Sequence, residues 1–399
     1  MPHFQYLIIG GGMTGDAAVK GIRSIDSQGT IGVISAEADP PYDRPPLTKG
    51  LWKGDQLDSI WLETAKLGAD VRLQRNITRL DLSAKRAVDD HSEEYTFDKL
   101  LLATGGTPRQ LPFGGNLINY YRMVADYRRL RADADRSQRF AVIGGGFIGS
   151  EIAAALAMNG KNVVMVFPDE GIGSRVYPAD LSYFLNDYYR EKGVDIRAVT
   201  KVTGLVSRGG RQVLQTQNAS GGSAGEIEVE AVVAGLGIVP NTKLAEDTGL
   251  RVDNGIIVDR FLRTDNPDVF AAGDVASFEN PALGSRLRVE HEDNAKTMGQ
   301  VAGLNMAGQA TACDHLPSFY SDLFDLGYQA VGELDSRMET FSDWQEPYRT
   351  GVIYYLRDGR VRGVLLWNVW DQVDAGRRLI AEAGPFSAQT LKGRLPKDA

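Results

Sequence analysis

Residues 140–151 read FAVIGGGFIGSE, and residues 5–15 have already read QYLIIGGGMTG. In both, an apolar strand runs into Gly-x-Gly-x-x-Gly: Gly10, Gly12 and Gly15 in the first copy, Gly144, Gly146 and Gly149 in the second. The first glycine of such a loop makes a tight turn. The second lets backbone approach a pyrophosphate, and the third lets a helix pack close to the strand. The phosphate then sits on unpaired amides at the helix N-terminus. Each copy has its sequel. The first continues as a helical stretch, DAAVKGIRSI, and a strand, TIGVIS, leading to Glu37. The second continues as SEIAAALAMNG, stopped by Asn159-Gly160, and a strand, NVVMVF, leading to Asp169. Both acids fall about twenty residues past the last glycine, where a carboxylate hydrogen-bonds a ribose diol. One such loop is a weak signal; two in a full strand–helix–strand–acid setting are a strong one.

At 399 residues the chain calls for two or three domains. Its acidic balance, 52 Asp and Glu against 44 Lys and Arg, makes nucleic acid a poor partner. No apolar run is long enough to span a bilayer. The first strand starts at about Tyr6, so no signal or transit peptide is expected. Cys313 is the one cysteine, so no intramolecular disulfide and no redox cysteine pair can form, which fits a cytoplasmic location. The histidines show no metal-ligand spacing, and no metal is expected.

Two further stretches assign the loops. LLLATGGTPR (100–109) is an apolar strand with a glycine turn, and VFAAGDVAS (269–277) is a small-residue strand whose Gly273-Asp274 suits a ribityl hydroxyl or a pyrophosphate. With these, the chain resembles the FAD-dependent pyridine-nucleotide oxidoreductases over essentially its whole length. The resemblance implies an α/β protein with two Rossmann-like, glutathione-reductase-type nucleotide-binding domains and a small α+β C-terminal domain. It implies FAD on the first loop and NADH on the second, with Ala103, Thr104, Gly105, Gly273 and Asp274 completing the flavin site. Gly237, in GLGIVPNT (235–242), belongs to the nicotinamide-nucleotide side. Asp169 repels a 2′-phosphate, so NADH is expected over NADPH.

Disulfide reductases of this family carry a redox cysteine near the flavin. Here that region reads PYDRPPLTKGLW (41–52) and has none. That stretch, with ATGGTPR, GGGFIGSE, VEHEDNA (289–295) and GVIYYLRDGRVRGVLLWNVW (351–370), is most similar to the branch of apoptosis-inducing factor and the oxygenase-coupled ferredoxin reductases. The resemblance implies an ion pair of Lys49 and Glu151 at the flavin, the lysine near N5. Taken alone, Lys49 also reads as a solvated turn residue and Glu151 as a helix-terminus charge. Phe147 is expected to cover the flavin and move aside for NADH, or else simply to pack. Arg44 and Arg109 are candidate donors to the flavin or its pyrophosphate. His291 is a candidate flavin contact or a core histidine, and Trp367 a flavin neighbour or a core aromatic of the sheet.

The expected organisation is a split FAD domain, 1–112 and 248–316, an NADH domain, 113–247, and a C-terminal domain, 317–399. The last has a hairpin around Asp358-Gly359 and a helix over QVDAGRRLIAEAG stopped at Gly384; it caps the flavin or offers a homodimer face. The reading is an NADH:acceptor oxidoreductase of the apoptosis-inducing-factor kind. Beside it stand a ferredoxin or rubredoxin reductase component of an oxygenase system, with an iron–sulfur partner, and an NADH-sensing flavoprotein whose oligomeric state responds to a charge-transfer complex.

Overall fold

The strand His3–Ile9 is apolar along most of its length because it is buried on both faces, with neighbours on either side. The computed structural model describes residues 1–395 and pairs Ile8 with Val33 on one flank and with Leu101 on the other, both in parallel register. The sheet order is Ala69–Arg72, Ile31–Ile34, His3–Ile9, Glu94–Leu102, Arg86–Asp89, Ile77–Asp81, with Val269–Ala271 also on Glu94–Leu102. This sheet belongs to a compact unit made of 1–44, 56–107 and 239–318.

Two helices of that unit pack against each other through small residues. Met13–Arg23 follows the first glycine loop, and Glu292–Met306 lies against it. A Cβ on Gly299 would stand 2.3 Å from the Thr14 carbonyl oxygen, and one on Gly303 2.2 Å from that of Ala18. Gly21 answers from the other helix, 2.3 Å from the Gln300 carbonyl oxygen. The spacing Gly299-x-x-x-Gly303 puts both glycines on one helix face, so the backbones touch and fix the start of each helix.

The second unit comprises 45–55, 108–238 and the chain from Phe319 onward. Its parallel sheet runs Asp195–Arg197, Asn162–Val166, Arg139–Ile143, Ala231–Ala234, Ile118–Tyr120, and repeats the first sheet's logic of buried apolar strands. A three-stranded antiparallel sheet follows, Thr200–Arg208, Arg211–Asn218 and Ala224–Val229, its last turn at 219–223. The C-terminal strands form a further sheet in the order Ser318–Leu323, Leu326–Gly332, Arg360–Trp367, Thr350–Arg357, Glu339–Glu346. The hairpin turns at Asp358 and Gly359, both at positive φ (53° and 70°), as a two-residue primed turn requires.

Two expectations are redrawn. The sequence places 41–52 wholly with the first nucleotide domain, whereas Pro45–Asp55 packs in the second unit. Trp52 holds it there, edge-on to Tyr127, under the Arg131 guanidinium, its carbonyl taking Asn159 Nδ2 at 3.0 Å. The helix expected to run to Gly384 is Val373–Ala381. Glu382 is already extended and ion-paired with Arg394, and Pro385 disfavours helix in the residue before it.

Gly303→Ala forces the two packed helices apart and is expected to cost about 1–3 kcal/mol. Thermal melting checks it: an unchanged midpoint would mean that the backbones do not touch here.

Candidate functional site: two cradles and a buried ion pair

The two glycine loops have nearly the same geometry. Gly10 and Gly144 sit at φ +125° and +116°, where a side chain is strained, and a Cβ would strike the carbonyl of Ala103 or Gly235. Gly15 and Gly149 lie against the carbonyl oxygens of Gly10 and Gly144, 2.2 and 2.1 Å from an added Cβ. Gly12 and Gly146 differ from both. A Cβ on Gly146 meets nothing within 4 Å, and one on Gly12 meets only Arg44 Nη2 at 3.9 Å. These middle glycines are the N-caps of Met13–Arg23 and Phe147–Met158, at φ/ψ −88°/−171° and −86°/−168°, and neither helix has a side-chain cap. Each helix thus offers first-turn amides beside an open cradle, the arrangement that fits a pyrophosphate.

In the first unit, Glu37 at the end of the second strand takes Tyr42 Oη and Arg44 Nη2, each at 2.6 Å. Its carboxylate keeps lone pairs for a ribose diol. Desolvation works against the Arg44 charge, but Tyr42, Glu37 and Asp274 hold it above its ordinary value. Ala103 backs the first loop, Thr104 is locked to Asn241 by two 2.8 Å hydrogen bonds, and Gly105 turns at φ +62°. Gly273 (φ +76°) packs on Thr14, which brings the half-buried Asp274 beside the first loop's helix. Arg288 fixes Asp274 by donating to its carbonyl at 3.1 Å. His291 caps Glu292–Met306; desolvation pushes its imidazole down to about 4, outweighing the pull of Asp274 and Asp293. It is neutral at pH 7.

In the second unit, Asp169 stands past Asn162–Val166 with Arg175 Nη2 at 3.9 Å. Arg175 is 85 % exposed, so this pair is weak and the arginine is at liberty to turn. Arg109 is exposed and its amide donates to the Gly237 carbonyl. The half-buried Phe147 rests against Phe319, centroids 5.4 Å apart.

Lys49 and Glu151 meet in this same unit. Lys49 Nζ lies 2.7 Å from Glu151 Oε2, the two side chains 12 % and 4 % exposed. Thr48 Oγ1 reaches the same oxygen at 2.5 Å, and Ser321 Oγ reaches Oε1 at 2.6 Å. The Tyr320 ring lies 5.1 Å from Lys49 Nζ. An ionised pair with this many charge-assisted bonds is a fixed positive and negative charge in a poorly solvated place.

Of the two readings of Trp367, the packing favours the core aromatic of the sheet: its ring is 0 % exposed, stacked on Tyr328 at 5.7 Å with Nε1 donating to the Tyr348 carbonyl. The aromatic beside the lysine is Tyr320, 42 % exposed, which the sequence reading missed along with Thr48, Phe319 and Ser321. Only Thr48 carried a signal, as the neighbour of Lys49. Among the described residues no cluster of His, Cys, Asp and Glu could hold a metal ion, and no helix is long and apolar enough to cross a membrane.

Residues 4–299 match the pyridine nucleotide-disulphide oxidoreductase family, and residues 342–382 match the C-terminal family of mitochondrion-associated apoptosis-inducing factor. The chain is 34% identical to apoptosis-inducing factor 1, mitochondrial, of Dictyostelium discoideum, covering 94% of this chain and 78% of that protein. It is 32% identical to the ferredoxin–NAD(+) reductase component of the anthranilate 1,2-dioxygenase system of Burkholderia cepacia, covering 97% and 96%. Among solved structures, a chain of the covalent putidaredoxin reductase–putidaredoxin complex superposes with a TM-score of 0.89 at 26% identity, over 98% of this chain and 96% of that one.

The Asp169 carboxylate is expected to favour NADH over NADPH by about thirtyfold, or ~2 kcal/mol. In Asp169→Ala the preference shrinks, and the exposed Arg175 is left to meet a 2′-phosphate. Flavin reduction rates with the two nucleotides check this; an unchanged ratio in the variant would show that another group reads the ribose.

Proposed function

The chain belongs to the pyridine nucleotide-disulphide oxidoreductase family and is an FAD-dependent enzyme that oxidises NADH; from that premise we propose that its electrons pass to a small iron–sulfur protein. The observation that carries the site assignment is the buried Lys49–Glu151 pair. FAD, when bound, takes up a hydride from NADH and releases electrons singly or in pairs.

The residues divide the remaining work. The loop at Gly12, with Arg44, Glu37 and Asp274, suits the FAD pyrophosphate and ribose; the loop at Gly146, with Asp169, suits NADH. Phe147, half-buried against Phe319, covers the flavin and turns aside when nicotinamide enters. Lys49 supplies a preorganised positive charge where negative charge grows during reduction, which is worth most in a site shielded from water. Glu151 holds that ammonium in place. No side chain needs to act as a general base.

Two features support an electron-transfer partner over a thiol substrate. Cys313 is buried, and desolvation pushes its thiol up to about 11, so the chain has no thiolate to offer a disulfide. Relatives of nearly the same length are named as ferredoxin reductase components. The arginines of the C-terminal sheet do not form a bare basic face: Arg349 pairs with Asp325, Arg357 and Arg362 with Glu333, Arg377 with Asp374. Docking then depends on shape more than on net charge.

The test is NADH-driven reduction of a purified [2Fe–2S] ferredoxin and of glutathione disulfide, by wild type and Cys313→Ser. Ferredoxin reduction is expected, at the same rate in both proteins, with glutathione disulfide untouched. Loss of activity in Cys313→Ser, or turnover of the disulfide alone, contradicts the proposal.

A further inference from the structure

Glu151 has more donors than an ion pair requires. Its Oε2 takes Lys49 and Thr48, while Oε1 takes Ser321 from a strand 170 positions away in the chain. Behind Ser321 the hydroxyls continue. The buried phenol of Tyr328 lies on the next strand, and Tyr177 Oη donates to Tyr328 Oη at 2.9 Å. The carboxylate has no proton to give, so Ser321 donates to Glu151, and behind it Tyr177 donates to Tyr328.

Two functions fit such a series, a proton relay or a clamp. A relay needs an end that exchanges with water. Tyr177 is fully buried, packed edge-on against Tyr328 and Trp367, and Tyr328 and Ser321 are buried as well. Burial raises both phenols well above their usual range, so they stay protonated and stay donors. The series ends in the core, which leaves the clamp.

We propose that Ser321 is the positioning residue that keeps Glu151 ionised and its Oε2 turned to Lys49. A carboxylate this buried favours its neutral form unless donors hold the charge. Without Ser321, Oε1 loses its donor and the carboxylate loses part of what holds its charge. Lys49 then loses its anchor. The inference rests on the role given above to Lys49 and Glu151 in flavin reduction, but the state of Glu151 can be read without it.

The experiment compares the FAD-loaded wild type with Ser321→Ala and Ser321→Thr between about pH 9 and about pH 6. Infrared spectra report a protonated carboxyl group by its C=O band, assigned to Glu151 by its loss on adding Glu151→Gln. Wild type and Ser321→Thr are expected to show no such band. Ser321→Ala is expected to develop it toward the acid end of that range, and anaerobic reduction by NADH to slow about tenfold in Ser321→Ala. No band in Ser321→Ala, or an equal band in Ser321→Thr, overturns the clamp. A band without any change in reduction rate supports the clamp and instead removes Lys49 and Glu151 from the chemistry.

Discussion

A carboxylate that is 4 % exposed has to be compensated where it stands, because an unpaired charge out of water costs several kcal/mol or more. Glu151 meets that demand by collecting donors from separate parts of its unit. The turn Pro45–Thr48 and the residue after it bring a hydroxyl and an ammonium, and the strand Ser318–Leu323 brings a serine. This explains why Pro45–Asp55 packs in the second unit although the chain on either side of it belongs to the first. A neighbouring pair, Lys53 with Asp322 at 2.9 Å, ties the same turn to the same strand again.

The two glycine loops show what duplication leaves free to vary. Both carry a buried acid near the start of the following helix, one residue past the third glycine in the first copy and two past it in the second. In the first copy it is Asp16, bonded to Thr64 and to Lys20 one helical turn on. That acid is spent inside its own unit on holding the loop's helix. In the second copy Glu151 is paired with a lysine from a distant turn, so its charge is tied to a group beside the exposed ring of Tyr320. The cradles serve the same backbone chemistry, and the acids after them serve different ends.

How much of this the sequence shows follows from range. The loops, their helices and the acids Glu37 and Asp169 were legible because each is a local pattern in which turn, strand and cap fall within about thirty residues. The Asp358-Gly359 hairpin was legible for the same reason. Lys49 with Glu151 came from resemblance, since nothing local joins residues a hundred positions apart. Ser321, Tyr328 and Tyr177 were not legible at all: a serine in SFYSDL looks like any strand serine until the fold sets it against a carboxylate. Trp367 stayed open between two readings because a tryptophan in an apolar strand has the same local pattern whether its ring meets a ligand or, as here, Tyr328 and Tyr177.

The central claim is that Lys49 and Glu151 act as one unit during flavin reduction. Anaerobic stopped-flow bleaching of the FAD-loaded protein by NADH tests it in wild type, Lys49→Gln, Glu151→Gln and the double variant, with FAD content measured in each. If the pair is one unit, each single change slows reduction by about a hundredfold and the double variant is no slower than the slower single. Singles that reduce at the wild-type rate, or effects that multiply in the double variant, contradict the account.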